Sequence, residues 1–338
     1  MIIKKFKAAI LEKNNSELVI RDIFFKDELK KGQIFIKLKY SGICGKQIDE
    51  IKGIGGRDPY IPHLLGHEGS GVVLKVGPGV KKVKKNDKVI LHWIKSNGIQ
   101  SETPKYFLKN KTINAGWVTT FNEYAIVSEN RVTKITKGYS LKKACLFGCV
   151  ATTALGLVTN ELNLKYRDIL LVVGVGGLGQ IIVQSAKNYK IRKIIVIDVN
   201  NLALKKAKKL GADIVLNIKK KKNLNINKAV VTTGNIKTIE KTIKILSLPS
   251  ICYIMGVPKK QGLMRVNAWN VMHGQTIKGS LGGNTFPKKD IPKFINLEKT
   301  GKINLNKIIY KTINFNEINK GIKMFKSLKT TGRILVKF

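Results

Sequence analysis

The sequence predicts an α/β protein in which a doubly wound parallel sheet, built to bind a dinucleotide, is joined to a second, β-rich unit. Three observations carry this reading. Ile169 to Val173 is a continuous apolar run of strand length that meets Gly174, Gly176 and Gly179 before Gln180 opens a helical pattern. A second apolar run, Lys193 to Ile197, delivers Asp198 about 20 residues later, the spacing of a dinucleotide fingerprint. Residues 1 to about 40 hold short alternating or apolar runs, such as Leu18-Val19-Ile20 and Gln33 to Tyr40, broken by Asn14-Asn15 and Lys31-Gly32.

Each part of the glycine-rich stretch has a task. Gly174 permits the tight turn, Gly176 lets the backbone approach a pyrophosphate, and Gly179 lets helix and strand pack closely. Gly177 and Leu178 complete the loop, and the helix that follows turns its N-terminal N–H groups toward phosphate. Asp198 can accept both ribose hydroxyls, and its charge would sit against the extra phosphate of NADP, so NAD is the expected cofactor.

Composition narrows the class. With 338 residues, 43% of them hydrophobic, the chain can bury sizeable cores, and two domains are expected at ~150 residues each. No apolar run approaches the ~18 residues of a membrane span, and the opening Met-Ile-Ile-Lys-Lys-Phe-Lys is too soon charged for a signal peptide. A cytoplasmic protein without a membrane partner is expected. Lys and Arg number 63 against 21 Asp and Glu, a formal net charge of +42. The lysines are scattered and accompany an excess of Asn and Ile, which biased coding composition explains without a specific nucleic-acid partner. Four cysteines, Cys44, Cys145, Cys149 and Cys252, are too sparse for a disulfide framework and are better tested as ligands or buried thiols.

Two of the ligand candidates fall where turns should be. Cys44 is flanked by Gly42 and Gly45, and His67-Glu68 by Gly66 and Gly69, so the backbone can come close to an ion. Cys149 follows in Phe147-Gly-Cys-Val-Ala-Thr-Thr. Two thiolates and an imidazole with one open position suit a catalytic zinc, whereas a structural zinc normally closes its fourth position. Spacing alone leaves open that each is a buried thiol or a hydrogen-bonded turn histidine.

The sequence resembles the zinc-dependent medium-chain alcohol dehydrogenases over nearly its whole length. The matching pieces are Gly-Ile-Cys44-Gly, Gly-His67-Glu68-Gly-Ser-Gly, Cys145-Leu-Phe-Gly-Cys149, Gly174 to Gly179, Lys278-Gly-Ser-Leu-Gly-Gly283 and Gly332-Arg333-Ile-Leu-Val. The resemblance implies a GroES-like catalytic domain over residues 1–150 and 285–338 and a Rossmann domain over 151–284. It also implies hydride transfer between an alcohol, or its aldehyde or ketone, and NAD, in a homo-oligomer of two or four chains. Cys44, His67 and Cys149 would bind catalytic zinc, with Glu68 behind or intermittently on the metal. Thr153, Val257 and Leu281 would lie near the nicotinamide, Gly234 at a strand end of the cofactor crevice, and Arg333 on the pyrophosphate. Trp93 falls where the family places a substrate-pocket aromatic, although it serves equally as an anchor for its lobe.

Three departures from the family stand out. Residues 93–116 lack the four cysteines of a second, structural zinc, so one zinc per chain is expected, with the lobe held by packing or hydrogen bonds. Ala203 replaces a lysine that often reaches the adenosine ribose. Lys46 and Asp49 occupy the usual proton-relay positions, so Lys46 either relays the proton, steadied by Asp49, or points outward toward an anionic substrate group. That change favours a sugar, activated sugar, polyol or amino-alcohol as the rival to a simple alcohol. From a different class, the rival is a nucleic-acid-binding protein on a retained oxidoreductase fold.

Later segments are read from pattern. Asn201 to Leu210 is helical with Gly211 as its cap, Asp213 to Asn217 and Ala229 to Gly234 are strands, and the crossover between those strands is expected to have a shortened or lost helix. Gly256-Val257 and Gly282-Gly283 end further strands. A helix near Asp290 to Thr300 and a final strand near Arg333 to Phe338 are expected to return to the first unit.

Overall fold

The computed structural model describes residues 2–54, 56, 58–217, 225–327 and 330–338. A six-stranded, wholly parallel sheet runs in the order Ile214–Asn217, Lys193–Asp198, Ile169–Val173, Lys228–Val231, Ser250–Ile254, Gln275–Gly279. Its middle strand, Ile169–Val173, is buried along its length because helices cover both faces, which is why its sequence is an unbroken apolar run rather than an alternating one. The order reverses between Ile169–Val173 and Lys228–Val231, and the crevice at the carboxyl ends of those strands is where such sheets bind ligands.

Helix Gly177–Lys187 follows the middle strand with Gln180 to Ala186 buried, and helix Asn201–Leu210 follows the next. Asn200 caps the latter by accepting from the N–H groups of Leu202 and Ala203, and Gly211 closes it at φ 117°. The strand expected over Ala229 to Gly234 ends at Val231; Thr232 N–H still donates to Val173 O at 2.9 Å, and its Oγ1 adds bonds to Val173 O at 3.2 Å and Gly174 O at 3.0 Å. Gly256 likewise lies beyond its strand, and Gly282-Gly283 form a short 3₁₀ turn after Gly279. Most of the crossover after Asn217 lies outside the described residues, so the expectation of a lost helix there has no structural counterpart.

The β-rich unit consists of a five-stranded and a seven-stranded sheet. Its organising element is strand Gln33–Ile43, which pairs with Glu68–Val76 on one edge, and along its length with Tyr124–Ser128 and Arg333–Lys337. The final strand thus returns to the first unit, with Ile334 opposite Ile43. Helix Pro287–Lys299 packs on helix Val150–Gly156, which also lies against Gly177–Lys187. Among the described residues, no single helix is long and apolar enough to cross a membrane.

Candidate active site

Three turns bring the ligand candidates together. Cys44 ends the long strand and stands as N-cap of helix Gly45–Lys52, His67 immediately precedes strand Glu68–Val76, and Cys149 breaks the chain between the 3₁₀ turn Leu146–Gly148 and helix Val150–Gly156. One side-chain ligand atom from each of Cys44, His67 and Cys149 lies within 4.8 Å of the other two, and His67 Nε2 is 3.3 Å from Cys149 Sγ. These residues, 105 positions apart from first to last, therefore share one point in space.

The electrostatics of the pair are those of a proton-sharing dithiol. The Cys149 thiol donates to Cys44, which overcomes burial and, with Arg333 nearby, holds Cys44 well below the ordinary thiol range; Cys149 is pushed correspondingly high. His67 is pulled down by burial but raised more by the Cys44 thiolate and by Glu68, so its net shift is upward. A metal-free centre of this kind carries protons that a bound cation would displace.

Glu68 lies behind the cluster and outside it. It is fully buried, its Oε2 accepts the Val150 N–H at 3.1 Å, and its Oε1 is 3.0 Å from Arg333 Nε in an ion pair without hydrogen-bond geometry. Burial raises the carboxyl's pKa and the guanidinium pulls it back. Gly42 makes room for this: a Cβ there would sit 1.9 Å from Glu68 Oε1. Arg333 has a protein partner that the sequence did not suggest. It is 5% exposed, bound to Glu68, and donates from Nη1 to Ile43 O at 3.0 Å, while its Nε stands 3.9 Å from the Cβ position of Gly177 in the glycine-rich loop.

Gln47 is a contact the sequence reading missed. Its Oε1 accepts the Cys44 N–H at 2.8 Å while its amide nitrogen meets His67 Nδ1. The signal was present as glutamine three residues after a helix cap, the capping-box spacing.

Lys46 is exposed, and Asp49 is half-buried one turn further along the same helix. No ion pair joins them among the described residues. Burial raises Asp49, opposed by the charges of Lys46 and Lys52.

The cofactor crevice has the expected form. Gly176 faces open space, and a Cβ on Gly179 would stand 2.1 Å from Gly174 O, which explains the helix–strand contact. Asp198 Oδ2 accepts the Val175 N–H at 2.7 Å and Oδ1 the Asn200 N–H at 2.8 Å, so the carboxylate is held at the crevice edge. Gly177 packs beside Val150, the residue after Cys149, so the glycine-rich loop adjoins the ligand cluster. Gly234 packs against Val257, whose side chain is 62% exposed; Leu281 is 83% exposed, and Thr153 is buried with an unpartnered hydroxyl. Trp93 is half-buried beside Gly282, with its carbonyl accepting from Arg131 and its indole N–H unpaired.

The lobe over 93–116 is tied by hydrogen bonds. Glu129 accepts from the N–H groups of Lys81, Lys82 and Ile99 at 2.6, 2.8 and 2.9 Å, and Ser101 N–H donates to Ser128 Oγ at 3.0 Å. Among the described residues, the cluster of Cys44, His67 and Cys149 is the one group with metal-ligand spacing.

Comparison with known proteins identifies the family. Residues 30–137 match the alcohol dehydrogenase GroES-like domain, and residues 177–299 the zinc-binding dehydrogenase domain. The chain belongs to the zinc-containing medium-chain alcohol dehydrogenases. As a member of that family it is an oxidoreductase of alcohols and their carbonyl counterparts. It is 28% identical to alcohol dehydrogenase 6 of Peromyscus maniculatus, covering 95% of each chain. The fold matches benzyl alcohol dehydrogenase of Acinetobacter calcoaceticus with a TM-score of 0.90 at 22% identity, over 99% of each chain. The fold also matches that of an E. coli short chain alcohol dehydrogenase solved with NADH, with a TM-score of 0.82 at 23% identity, again over 99% of each chain.

Proposed function

We propose that the protein is a zinc- and NAD-dependent dehydrogenase with one catalytic zinc per chain, held by Cys44, His67 and Cys149. The observation that carries this reading is the convergence of two sulfurs and an imidazole within 4.8 Å, next to a glycine-rich loop that leads into a helix. That donor set, with no fourth protein ligand in the cluster among the described residues, suits a zinc that keeps a position for substrate. The loop's open Gly176 and the fixed Asp198 carboxylate suit the pyrophosphate and adenosine ribose of NAD.

Zinc supplies a Lewis acid for the alcohol oxygen, and NAD supplies the hydride acceptor. The chain's own residues do the rest. The Cys149 thiol beside Cys44 shifts Cys44 toward its thiolate, and Cys149 would have to lose its proton for both sulfurs to hold the zinc. The Glu68–Arg333 pair fixes the rear wall behind Cys44, and Val257, Leu281 and Thr153 offer the nicotinamide two apolar surfaces and a hydroxyl. The division into residues 1–150 with 285–338, and 151–284, assigns the metal to the first unit and the dinucleotide to the second.

Metal analysis of the purified chain, with NADH fluorescence on binding and nicotinamide absorbance against a panel of alcohols, tests the reading. One zinc per chain, enhanced NADH emission and preference for NAD over NADP are the expected results. A chain that folds and binds nucleic acid but takes up neither zinc nor NADH would sink it.

A further inference from the structure

The cavity beside His67 has a wall unlike the rest of the molecule. It encloses about 680 Å³ and reaches the ligand cluster at Gln47 and His67. In a chain with 63 Lys and Arg against 21 Asp and Glu, its charged wall residues other than histidine are Glu50, Asp58 and Glu102 against Lys105 alone. Two of these carboxylates are already matched. Asp58 Oδ2 is 2.8 Å from His63 Nε2, and Glu102 Oε1 is 2.7 Å from Lys30 Nζ.

Glu50 is different. It sits half-buried one helical turn after Lys46, lines the cavity, and its carboxylate has no hydrogen bond or ion pair among the described residues. Thr119 lines the same cavity; it is 2% exposed, and its hydroxyl also lacks a partner among the described residues. Buried polar groups are ordinarily paired, so the unpaired Thr119 hydroxyl, in a wall that also holds the solvated and unbonded Glu50 carboxylate, marks a place where a ligand can supply the missing bonds. Tyr60 and Trp117, 66% and 49% exposed, add aromatic surface in the same wall for a carbon chain to lie on.

We propose that this cavity holds a polyhydroxylated alcohol, with Glu50 and Thr119 hydrogen-bonded to hydroxyls other than the one that reacts. The proposal rests on the dehydrogenase reading above and narrows its substrate class. A hydroxyl donates to the Glu50 carboxylate and can both donate to and accept from Thr119 Oγ1. An anionic alcohol would meet the unbonded Glu50 carboxylate. A cationic one gains little, because Glu50 already lies in the field of Lys46.

A four-carbon series tests this on the zinc-loaded enzyme with NAD: butan-1-ol, erythritol, 4-aminobutan-1-ol and 4-hydroxybutanoate. Erythritol is expected to have the highest kcat/KM. Its ratio to butan-1-ol is expected to fall about tenfold in Glu50→Gln and again in Thr119→Val, the effect of one hydrogen bond each. Saturation-transfer NMR of erythritol gives a readout without turnover, with contact present in the wild type and lost in Glu50→Gln. A wild type that prefers butan-1-ol or the amino alcohol, or a ratio unmoved in both variants, overturns the proposal. Erythritol contact that depends on Glu50 without oxidation of any of the four overturns the dehydrogenase reading but supports the binding assignment. Oxidation of butan-1-ol without erythritol contact does the reverse.

Discussion

Arg333 and Glu68 form a buried ion pair, Nε to Oε1 at 3.0 Å, between the ligand cluster and the glycine-rich loop. Each residue's neighbours depend on the other: Glu68 also fixes the start of helix Val150–Gly156, and Arg333 also holds the end of the strand that leads to Cys44.

Breaking one half of this pair leaves the other charge buried and uncompensated. Arg333→Met is expected to destabilise the chain by about 3 kcal/mol, while Glu68→Gln with Arg333→Met recovers a large part of that loss. Urea unfolding of the two variants checks this. Equal destabilisation by both would show that the pair's charges are not what matters.

Gln47 has one carbonyl and two claimants. With Oε1 on Cys44 N–H and the amide nitrogen on His67 Nδ1, Nδ1 accepts from that amide only when the imidazole proton lies on Nε2, the nitrogen 3.3 Å from Cys149 Sγ. A metal at Nε2 requires the proton on Nδ1, and therefore an acceptor oxygen there. Gln47→Leu is expected to weaken zinc binding 10–100-fold, and Gln47→Glu, which presents only acceptors when ionised, to restore it. Competition with a chromophoric chelator measures both affinities. Equal affinities for wild type and Gln47→Leu would count against the tautomer argument.

Lys46 is exposed, which favours the outward-pointing of the two roles considered for it. Lys46→Ala is expected to keep the pH profile of turnover in place, with KM raised only for 4-hydroxybutanoate. A displaced limb of the profile would restore Lys46 to the proton path.

His92 makes stability fall in acid. It is fully buried, Nδ1 donates to Ile94 O at 2.7 Å, and Nε2 accepts from Thr133 Oγ1 at 3.0 Å, an arrangement for the neutral ring. Burial depresses its pKa to about 4. The unfolded chain takes up this proton near pH 6.5 and the folded chain only near 4. His92 therefore contributes stability above pH 6.5 that is lost as pH falls toward 4, about 3 kcal/mol in all. Denaturant unfolding at pH 7 and 4.5 should show this loss in the wild type and a smaller one in His92→Gln. Identical slopes in the two proteins would refute it.

What the sequence made legible was local. Strand, glycines, helix and Asp198 follow one another closely, so each constrains the next, and the parallel sheet followed from their order. The ligand set required the family resemblance, because nothing in the spacing of positions 44, 67 and 149 says that they meet. The partners of Arg333 were out of reach for the same reason, since its bond to Ile43 spans 290 positions, whereas the Gln47 bond to Cys44 was local and simply not read. The strand expected to continue to Gly234 stopped at Val231, where Thr232 makes one last backbone bond to Val173 O and adds its hydroxyl to the same carbonyl, a detail that apolar patterning does not encode.

The return of the last strand to Ile43 also sets an order of assembly during synthesis. Cys44, His67 and Cys149 leave the ribosome long before Arg333 does. Until then Glu68 has no counter-charge, and the nascent centre can be loaded with metal only on an unfinished rear wall. A stop codon a few positions short of Arg333 would spare every candidate ligand and still deprive Glu68 of the cation it is buried against.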